Sequence, residues 1–506
     1  MFRANNSKNN PFSIIDIGSF SIRLVIYDSL SLASRTLFNE KVICNLGEIV
    51  HKKGKLGNSD IDNVINVLER FTSIANSVSN EKVVILATAA VRIANNRDYF
   101  LRCIFKKFKI KVNLLSEKEE GELAALGTIY SHKNVEGIVG DLGGGSLELT
   151  EVVGEENINF INSFKIGHVF LKKKGIYFDK TVYQFIKENL KKNKIKECEK
   201  FYAVGGSFRA LAKLHMYLTG KNIKIIQDYI IPANDVDKII KKAIFCNNNF
   251  NPEILNKITK SRRKSLPYAL NILEKLIEFY SFKEIHFSSS GIREGFILQQ
   301  LKIKEGVINN FKNEKNTFIF QIRRLANNTI SNNMVKHLYS WILQCSEFLE
   351  FNNQLLLSAC WISNIAWDVH PEHRRLYAME RVLWYPFYGI TRTERIELSI
   401  IMYFRHSNAL KDDLIERYYN TIDKNVRMRC KFIGQILRLA HHITGSVSEK
   451  NLDLCKIKKK KGVLKLIVLK KSSLFQSQSI SRGLKNAALA LDIKESEIKL
   501  SSKLSS

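Results

Sequence analysis

Asp16-Ile17-Gly18-Ser19-Phe20-Ser21-Ile22-Arg23-Leu24 returns later in the chain as Asp141-Leu142-Gly143-Gly144-Gly145-Ser146-Leu147-Glu148-Leu149. Both copies read Asp, aliphatic, Gly, two residues, Ser, aliphatic, any residue, Leu. Each sits between two runs of strand character: Phe12 to Ile17 and Ile22 to Tyr27 for the first, Gly137 to Asp141 and Leu147 to Val153 for the second. A stretch that repeats in this way marks a duplicated structural unit. Two lobes of like build, each offering one such turn, predict a cleft with a turn on either side.

A strand–glycine–strand turn with a leading Asp suits phosphate. Glycines let the backbone approach closely, and successive N–H groups form a concavity for an anion. The Ser hydroxyl, Ser19 in one copy and Ser146 in the other, adds a neutral donor. Asp16 and Asp141 repel phosphate directly, so their role at such a site is to hold a divalent cation, directly or through water. An ordinary pair of hairpin turns is the bland alternative, and two matched copies count against it.

Outward from these turns the pattern alternates. Ser59 to Val78 reads as an amphipathic helix through Ile61, Val64, Ile65, Leu68, Phe71 and Ala75, with Ser59 and Asp62 as its expected capping box. Val83 to Ala87 is a continuous apolar run, as in a buried strand. A helical stretch follows near Thr181 to Asn193. Phe201 to Val204 runs into Gly205-Gly206, and Glu284 to Phe287 runs into Ser288-Ser289-Ser290-Gly291. Strands alternating with helices predict an α/β architecture. Beyond about residue 305 long amphipathic segments take over, among them Asn333 to Phe351, Leu355 to Asp368 and Arg395 to Phe404, so this part is mostly helical. Leu452 to Ile457 and Val463 to Leu469 predict a hairpin around Lys458 to Lys461 and Gly462, with a frayed tail from about Ser501. The expected organisation is four parts, 1–130, 131–304, 305–445 and 446–506.

Several residues besides the turns carry candidate chemistry. Leu115-Ser116-Glu117-Lys118-Glu119-Glu120-Gly121 opens a helix, with Ser116 and Glu119 as its capping box. Acids in a first helical turn complement the helix dipole without further function. A carboxylate here is equally placed to orient and deprotonate a water for in-line attack on phosphorus. Arg92 ends the Thr88 to Arg92 block after the buried strand, where it suits neutralising phosphoryl oxygens. Gly205, Gly206 and Arg209 repeat that form, and Gly291 to Gly295, with Arg293, closes a third strand. His370, His373, His406, His441 and His442 cluster loosely in the helical part, and the expectation for them is structural.

Composition narrows the class. Of 506 residues, 45% are hydrophobic and 25% charged, which excludes wholesale disorder. The net charge of +30 attracts polyanions, and it is equally the product of a Lys-, Asn- and Ile-rich composition. The eight cysteines are scattered without a CxxC pair, which predicts free thiols in a reducing compartment. MFRANNSKNN is followed by too short an apolar stretch for a signal peptide, and no apolar run reaches the ~20 residues of a membrane span. The expectation is a cytoplasmic protein with no membrane partner, with nucleic acid disfavoured.

At these residues the chain resembles the exopolyphosphatase / guanosine pentaphosphate phosphatase family over nearly its whole length. The resemblance rests on Asp16 to Ser19, Thr88 to Arg92, Ser116 through Gly127, Asp141 to Glu148, Gly205 to Arg209 and Gly291 to Gly295. It implies an α/β fold: a duplicated actin-like (ribonuclease H-like, ASKHA) core followed by a C-terminal, mainly helical HD-like domain. It implies Glu120 as the general base and Arg92 as a contact to the scissile phosphate. Asp141 and Glu148, joined by Asp16, are the implied holders of Mg2+ or another divalent ion, with K+ as a further candidate ion. Gly143, Gly144, Gly145 and Ser146, with Ser19 opposite and Gly205, Gly206 and Arg209 beside them, are the implied phosphate cradle. The implied substrates are inorganic polyphosphate or guanosine pentaphosphate, and a homodimer is compatible with the pattern. The chain departs from the family at Phe20, usually Asn, at Leu147, usually Thr, at Glu117, usually Gly, and at Gly121, usually Ala. Phe20 and Leu147 are each expected to strip a polar group from a phosphate loop, which keeps a catalytically weak polyphosphate- or nucleotide-binding regulator as an alternative to the exopolyphosphatase and the pentaphosphate phosphohydrolase. Ser363-Asn364 stands where some relatives keep an HD-like pair.

Overall fold

A computed structural model describes residues 10–78, 83–154, 157–172, 180–190, 198–220, 224–245, 249–250, 260–305, 317–469 and 475–501. The chain divides into two compact units, Met1–Lys315 and Asn316–Ser506. Cys246, Lys470-Lys471, residues 1–9 of the basic start and 191–193 of the expected 181–193 helix lie outside the described residues.

In the first unit β1 (Phe12–Ile17), β2 (Ser21–Tyr27), β3 (Thr36–Ile43), β4 (Val84–Ala87) and β5 (Val112–Leu114) form one sheet, ordered β3-β2-β1-β4-β5. β6 (Gly137–Leu142), β7 (Leu147–Val153), β8 (Asn157–Phe164), β9 (Lys200–Val204), β10 (Tyr229–Pro232) and β13 (Glu284–Phe287) form a second, ordered β10-β13-β9-β6-β7-β8. β11 (Ile244–Phe245) and β12 (Asn249–Phe250) make a separate short ladder. In the first sheet β1, β2 and β3 meander antiparallel while β1, β4 and β5 run parallel. In the second, β6, β7 and β8 meander while β6, β9 and β13 run parallel, with β10 added antiparallel at the edge. Without β10 the two sheets share one topology. This is the duplication that the repeated turn predicts, in the actin-like form that the family resemblance implies.

Local chemistry accounts for most of these elements. β1 is central, and its Ile14, Ile15 and Ile17 are fully buried, the continuous apolar pattern of a strand covered on both faces. The Asn58–Val78 helix lays Ile61, Val64, Leu68, Phe71 and Ala75 on the first sheet. Its start differs by one residue from the sequence reading. Asp60, not Ser59 with Asp62, closes it: the Asp60 carboxylate accepts the Gly57 N–H at 2.9 Å. The Glu117–Ser131 helix starts as expected: Ser116 Oγ accepts from the Glu119 N–H, and the Ser116 N–H donates to Glu119 Oε2 at 2.8 Å. Gly121 lets this helix lie on the second sheet, since a Cβ there would stand 2.7 Å from Thr150 Oγ1 and 3.0 Å from the Phe160 ring.

The same helix crosses the Ile292–Glu305 helix at backbone contact. A Cβ on Gly127 would stand 2.2 Å from the Gly291 carbonyl oxygen, and one on Gly295 would stand 1.8 Å from the Leu123 carbonyl oxygen. Both are far inside van der Waals contact, and the obstacles are backbone atoms that cannot rotate away.

The second unit is mostly helical, with Thr317–Ala326, Asn332–Leu343, Asn353–Trp361, Arg374–Leu383, Arg392–His406, Asp413–Tyr419, Lys424–Thr444 and Gln478–Ala490. β14 (Cys455–Lys460), β15 (Val463–Leu469) and β16 (Glu495–Ser501) form a small sheet, β14-β15-β16. The expected helix over Asn333 to Phe351 ends at Leu343 in a 3-10 turn, Gln344–Glu347. The one over Leu355 to Asp368 ends at Trp361, where Ser363 Oγ turns back to the Cys360 carbonyl at 2.8 Å. The hairpin forms, but Lys458 to Lys460 lie within β14, and only Lys461-Gly462 make the turn, both at positive φ. β16, parallel to β15, escapes the sequence reading because its charged residues break the apolar alternation. The described cysteines are free. Among the described residues no helix is long and apolar enough to cross a membrane.

An exposed helical Gly→Ala change normally stabilises by about 0.5–1 kcal/mol. Gly127→Ala should instead destabilise the first unit by about 2 kcal/mol or more, because overpacking against fixed backbone outweighs the helix-propensity gain. Urea unfolding checks this, and a midpoint equal to or above the parent's would show that the crossing tolerates a methyl group.

Candidate active site

The two glycine turns have the same closure. Gly18 N–H donates to the Ser21 carbonyl at 3.0 Å, and Gly143 N–H donates to the Ser146 carbonyl at 3.0 Å. Asp16 stands opposite Arg23 in the β1–β2 register, and Asp141 stands opposite Glu148 in the β6–β7 register. The turns meet: a Cβ on Gly144 would lie 2.9 Å from Ser19 Cβ. Their carbonyls are held from behind. Ser19 O accepts from Gly47 N–H at 2.8 Å, Gly144 O from Val169 N–H at 2.9 Å, and Gly145 O from Gly167 N–H at 3.1 Å. The Gly18 and Gly143 N–H groups are taken up by the turn closure, which leaves the amides between them and the closing serines, Gly144 and Gly145 among them, as candidate donors for an anion.

Between the turns lies a cleft of about 190 Å³. Asp16, Ser19, Glu120, Asp141, Gly143, Gly144, Gly145, Ser146, Gly205, Gly206 and Arg209 all line it. The structure thus gathers residues far apart in sequence into one site. Two expected members stand back from it. Arg92 does not line the cleft; its Nη1 donates to Glu120 Oε2 at 3.0 Å and to the Leu115 carbonyl at 2.7 Å, drawn to the start of the Glu117–Ser131 helix. Glu148 is only 1% exposed and lies beneath the lining, where Oε1 accepts from Ser163 Oγ at 2.8 Å. Leu147 corrects the sequence expectation: its side chain is fully buried in the second sheet's core, so it takes nothing from the phosphate loop. Phe20 does line the cleft, with Lys41 Nζ 4.7 Å and the Arg262 guanidinium carbon 5.7 Å from its ring centroid.

Sequence reasoning missed Arg262 and His168, both in the lining, and left Arg293 without a role. Arg262 sits in Ser261-Arg262-Arg263-Lys264, a basic run like any other in this chain. Nothing local marks it, although a Cβ on Gly206 would stand 2.1 Å from its guanidinium.

The electrostatics are divided. Burial pushes the Glu120 carboxyl up to about 7, Arg92 pulls it down, and the negative charges of Asp141 and Asp16 push it up again. Burial likewise raises Asp141 to about 6, against the pull of Arg209. Asp16 is raised by burial, opposed by Arg293 and Arg23, and Glu148 stands well above the carboxylate range through burial and Glu120. Facing them, Arg209 is lowered to about 10 by burial and by Arg293 and Arg262. Crowded carboxylates beside crowded guanidiniums match a bound cation on one side and phosphoryl oxygens on the other.

The carboxylates fit a divalent ion. Glu148 Oε2 is buried without a hydrogen-bond partner, and the mutual repulsion of Asp16, Glu120, Asp141 and Glu148 is what a cation relieves. Among the described residues no three His, Cys, Asp or Glu side chains form a ready ligand cage.

A duplicated actin-like core whose paired glycine turns enclose carboxylates and arginines defines a phosphoryl-handling protein. The chain belongs to the Ppx/GppA phosphatase family, whose model matches residues 25–304, and the exopolyphosphatase C-terminal model matches residues 345–492. It is similar to a bifunctional 3-dehydroquinate synthase/phosphatase of Fusobacterium nucleatum, 26% identical over 59% of this chain and 48% of that protein. It is also similar to a guanosine-5'-triphosphate,3'-diphosphate pyrophosphatase of Pseudoalteromonas atlantica, 23% identical over 58% of this chain and 60% of that protein. The chain therefore spans about half to three fifths of the length of these curated relatives. The crystal structure of the Aquifex aeolicus Ppx/GppA family member aligns with a TM-score of 0.51 at 24% identity, over 58% of this chain and 99% of that one, and shows the shared fold.

Raised carboxyls make a signed prediction for the metal-free protein. Glu120 at about 7 and Asp141 at about 6 are protonated in the folded state at pH values where the unfolded chain has ionised them. Their stabilising contribution is full below about pH 4 and is lost as pH rises through about 6 to 7. In EDTA the melting temperature should fall over that range, and Glu120→Gln should flatten the fall. A wild-type slope retained in Glu120→Gln would place the titration elsewhere.

Proposed function

We propose that this protein hydrolyses the terminal phosphoanhydride bond of inorganic polyphosphate. The observation that carries the reading is Glu120: a buried carboxylate with its pKa at about 7, steadied by Arg92, opening into a cleft between two touching glycine turns. A base with a pKa near the working pH accepts a proton well while still being available unprotonated.

The terminal phosphoryl group sits on the Gly144 and Gly145 N–H groups, with Ser19 and Ser146 as neutral donors. Arg209 and Arg293 face its non-bridging oxygens. Glu120 takes the proton from the water attacking phosphorus in line, and Arg92 fixes the direction in which that carboxylate points. Asp141 and Asp16, backed by Glu148, would hold Mg2+, which supplies charge neutralisation on the phosphate oxygens.

The net charge of +30 favours a long linear polyanion. The cleft of about 190 Å³ is smaller than the ~300–1,000 Å³ that usually encloses a drug-sized organic ligand. A terminal phosphoryl group fits such a cleft, with the rest of the substrate outside it. The similarity to the Pseudoalteromonas pyrophosphatase supports guanosine pentaphosphate as the second reading. Phosphate release from polyphosphate and from guanosine pentaphosphate, measured in parallel with magnesium, separates the two.

Glu120→Gln should lower phosphate release about 10²–10⁴-fold with substrate binding retained. A rate equal to wild type would remove Glu120 as the base. Arg92 holds the Glu120 carboxyl down, so Arg92→Met should move the acidic limb of the pH–rate profile to higher pH, with Arg92→Lys restoring part of the shift. An unmoved limb in Arg92→Met would disconnect this arginine from the base.

A further inference from the structure

The second unit holds a cleft of about 420 Å³ walled by three arginines and three histidines. Arg405 and His406 end the Arg392–His406 helix, Arg438, His441 and His442 come from the Lys424–Thr444 helix, and Arg374 begins the Arg374–Leu383 helix. Arg405 is 3% exposed, yet its Nε and Nη2 are buried without a hydrogen-bond partner. His406 Nε2 is likewise buried and unpartnered. Arg405 and Arg374 lie 5.9 Å and 4.5 Å from the Trp367 ring centroid, and Arg374 also donates to the Val369 and Trp367 carbonyls. His441 is part of the frame, its ring nitrogens 2.9 Å from Ser363 Oγ and 2.9 Å from Ser446 Oγ.

A buried guanidinium without a partner is costly. The same unit pairs other arginines with carboxylates or carbonyls. Arg375 pairs with Asp412 at 2.8 Å, Arg429 with Glu397 at 3.4 Å, and Arg395 donates to the Phe387 carbonyl at 2.8 Å. Around Arg405 the charged neighbours are Arg438 and Arg374, and around His406 they are Arg405, Arg374 and Arg438. Burial and these cations lower Arg405 to about 9 and hold His406 neutral, and among the described residues no carboxylate offsets them. An environment of that sign repels a metal ion and lacks an anion.

We propose that the cleft formed by Arg374, Arg405, His406, Arg438 and His442 binds a phosphate-bearing anion, orthophosphate or the end of a phosphate chain. The planar Nε/Nη2 fork of Arg405 matches two phosphate oxygens, and several converging cations favour a multiply charged anion over a monoanion. This site does not rest on the hydrolytic reading, since its residues are separate from Glu120 and the glycine turns.

Trp367 is 51% exposed and touches both arginines, which makes it a reporter. The full chain in EDTA is titrated with tripolyphosphate and, separately, orthophosphate, following tryptophan fluorescence and heat, with Trp367→Phe to assign the signal. A saturable Trp367 change is expected, weakened at least tenfold in Arg405→Met. That variant removes an unpaired buried charge and should melt no lower than wild type. If it does melt lower, Arg438→Gln serves in its place. A response to orthophosphate identifies the released product as a ligand, and a response to tripolyphosphate alone identifies the chain. No Trp367 response to either anion, or an unchanged response in both arginine variants, overturns the proposal. Glu120→Gln should leave the Trp367 response intact, so loss of catalysis and loss of this site are read apart.

Discussion

At the crossing of the Glu117–Ser131 and Ile292–Glu305 helices there is no room for a methyl group. The Gly127 Cα faces the Gly291 carbonyl, and Gly295 faces the Leu123 carbonyl, both closer than any side chain allows. Glu120 lies seven residues before Gly127 on the same helix, about two turns. Gly291 itself lines the cleft, and Arg293 follows it. The depth of this one contact therefore sets how far Glu120 stands from the turns and from the arginines. Glu294 adds a tie to the first sheet, receiving the Tyr27 hydroxyl at 3.2 Å and the Gly291 N–H at 2.9 Å.

Fixed by that contact, the cleft concentrates unfavourable burial of both signs. Its carboxylates are raised by desolvation and by each other, and Arg209 is lowered by desolvation and by its arginine neighbours. Neither cluster neutralises the other completely. Crowding charges of one sign in this way costs stability, as is usual at sites preorganised for phosphoryl groups. Phe20 follows the same logic at the edge, an apolar ring that carries Lys41 and Arg262. Burial and the nearby arginines bring Lys41 down to about 8.

The helical unit shows the same economy of charge in a smaller form. Arg375 and Arg429 have carboxylates, while Arg405, deeper than either, has none among the described residues. The histidines that cluster loosely in sequence fall into two sets of contacts. His406, His441 and His442 share the arginine cleft, whereas His370 and His373 contact each other, with ring centroids 6.1 Å apart.

The sequence by itself determined the duplication and the local frame. The Asp–Gly–Ser turns repeat because a phosphate-type turn needs those residues at those spacings, and the Ser116–Glu119 box fixes where its helix starts. The box also leaves Glu120 one residue on, rotated toward the interior while Glu119 stays at the helix end. Capping and periodicity could not choose among Glu117, Glu119 and Glu120, and only the family resemblance pointed to Glu120, because it is packing on β7 and β8 that buries one of them. Only the tertiary structure decided that Arg92 serves Glu120 and does not reach the cleft, that Leu147 belongs to the core, that Arg262 enters the site, and that Arg405 goes unpaired. The reason is that periodicity and capping describe a residue's own element, whereas burial and charge pairing depend on what a distant part of the chain places opposite it.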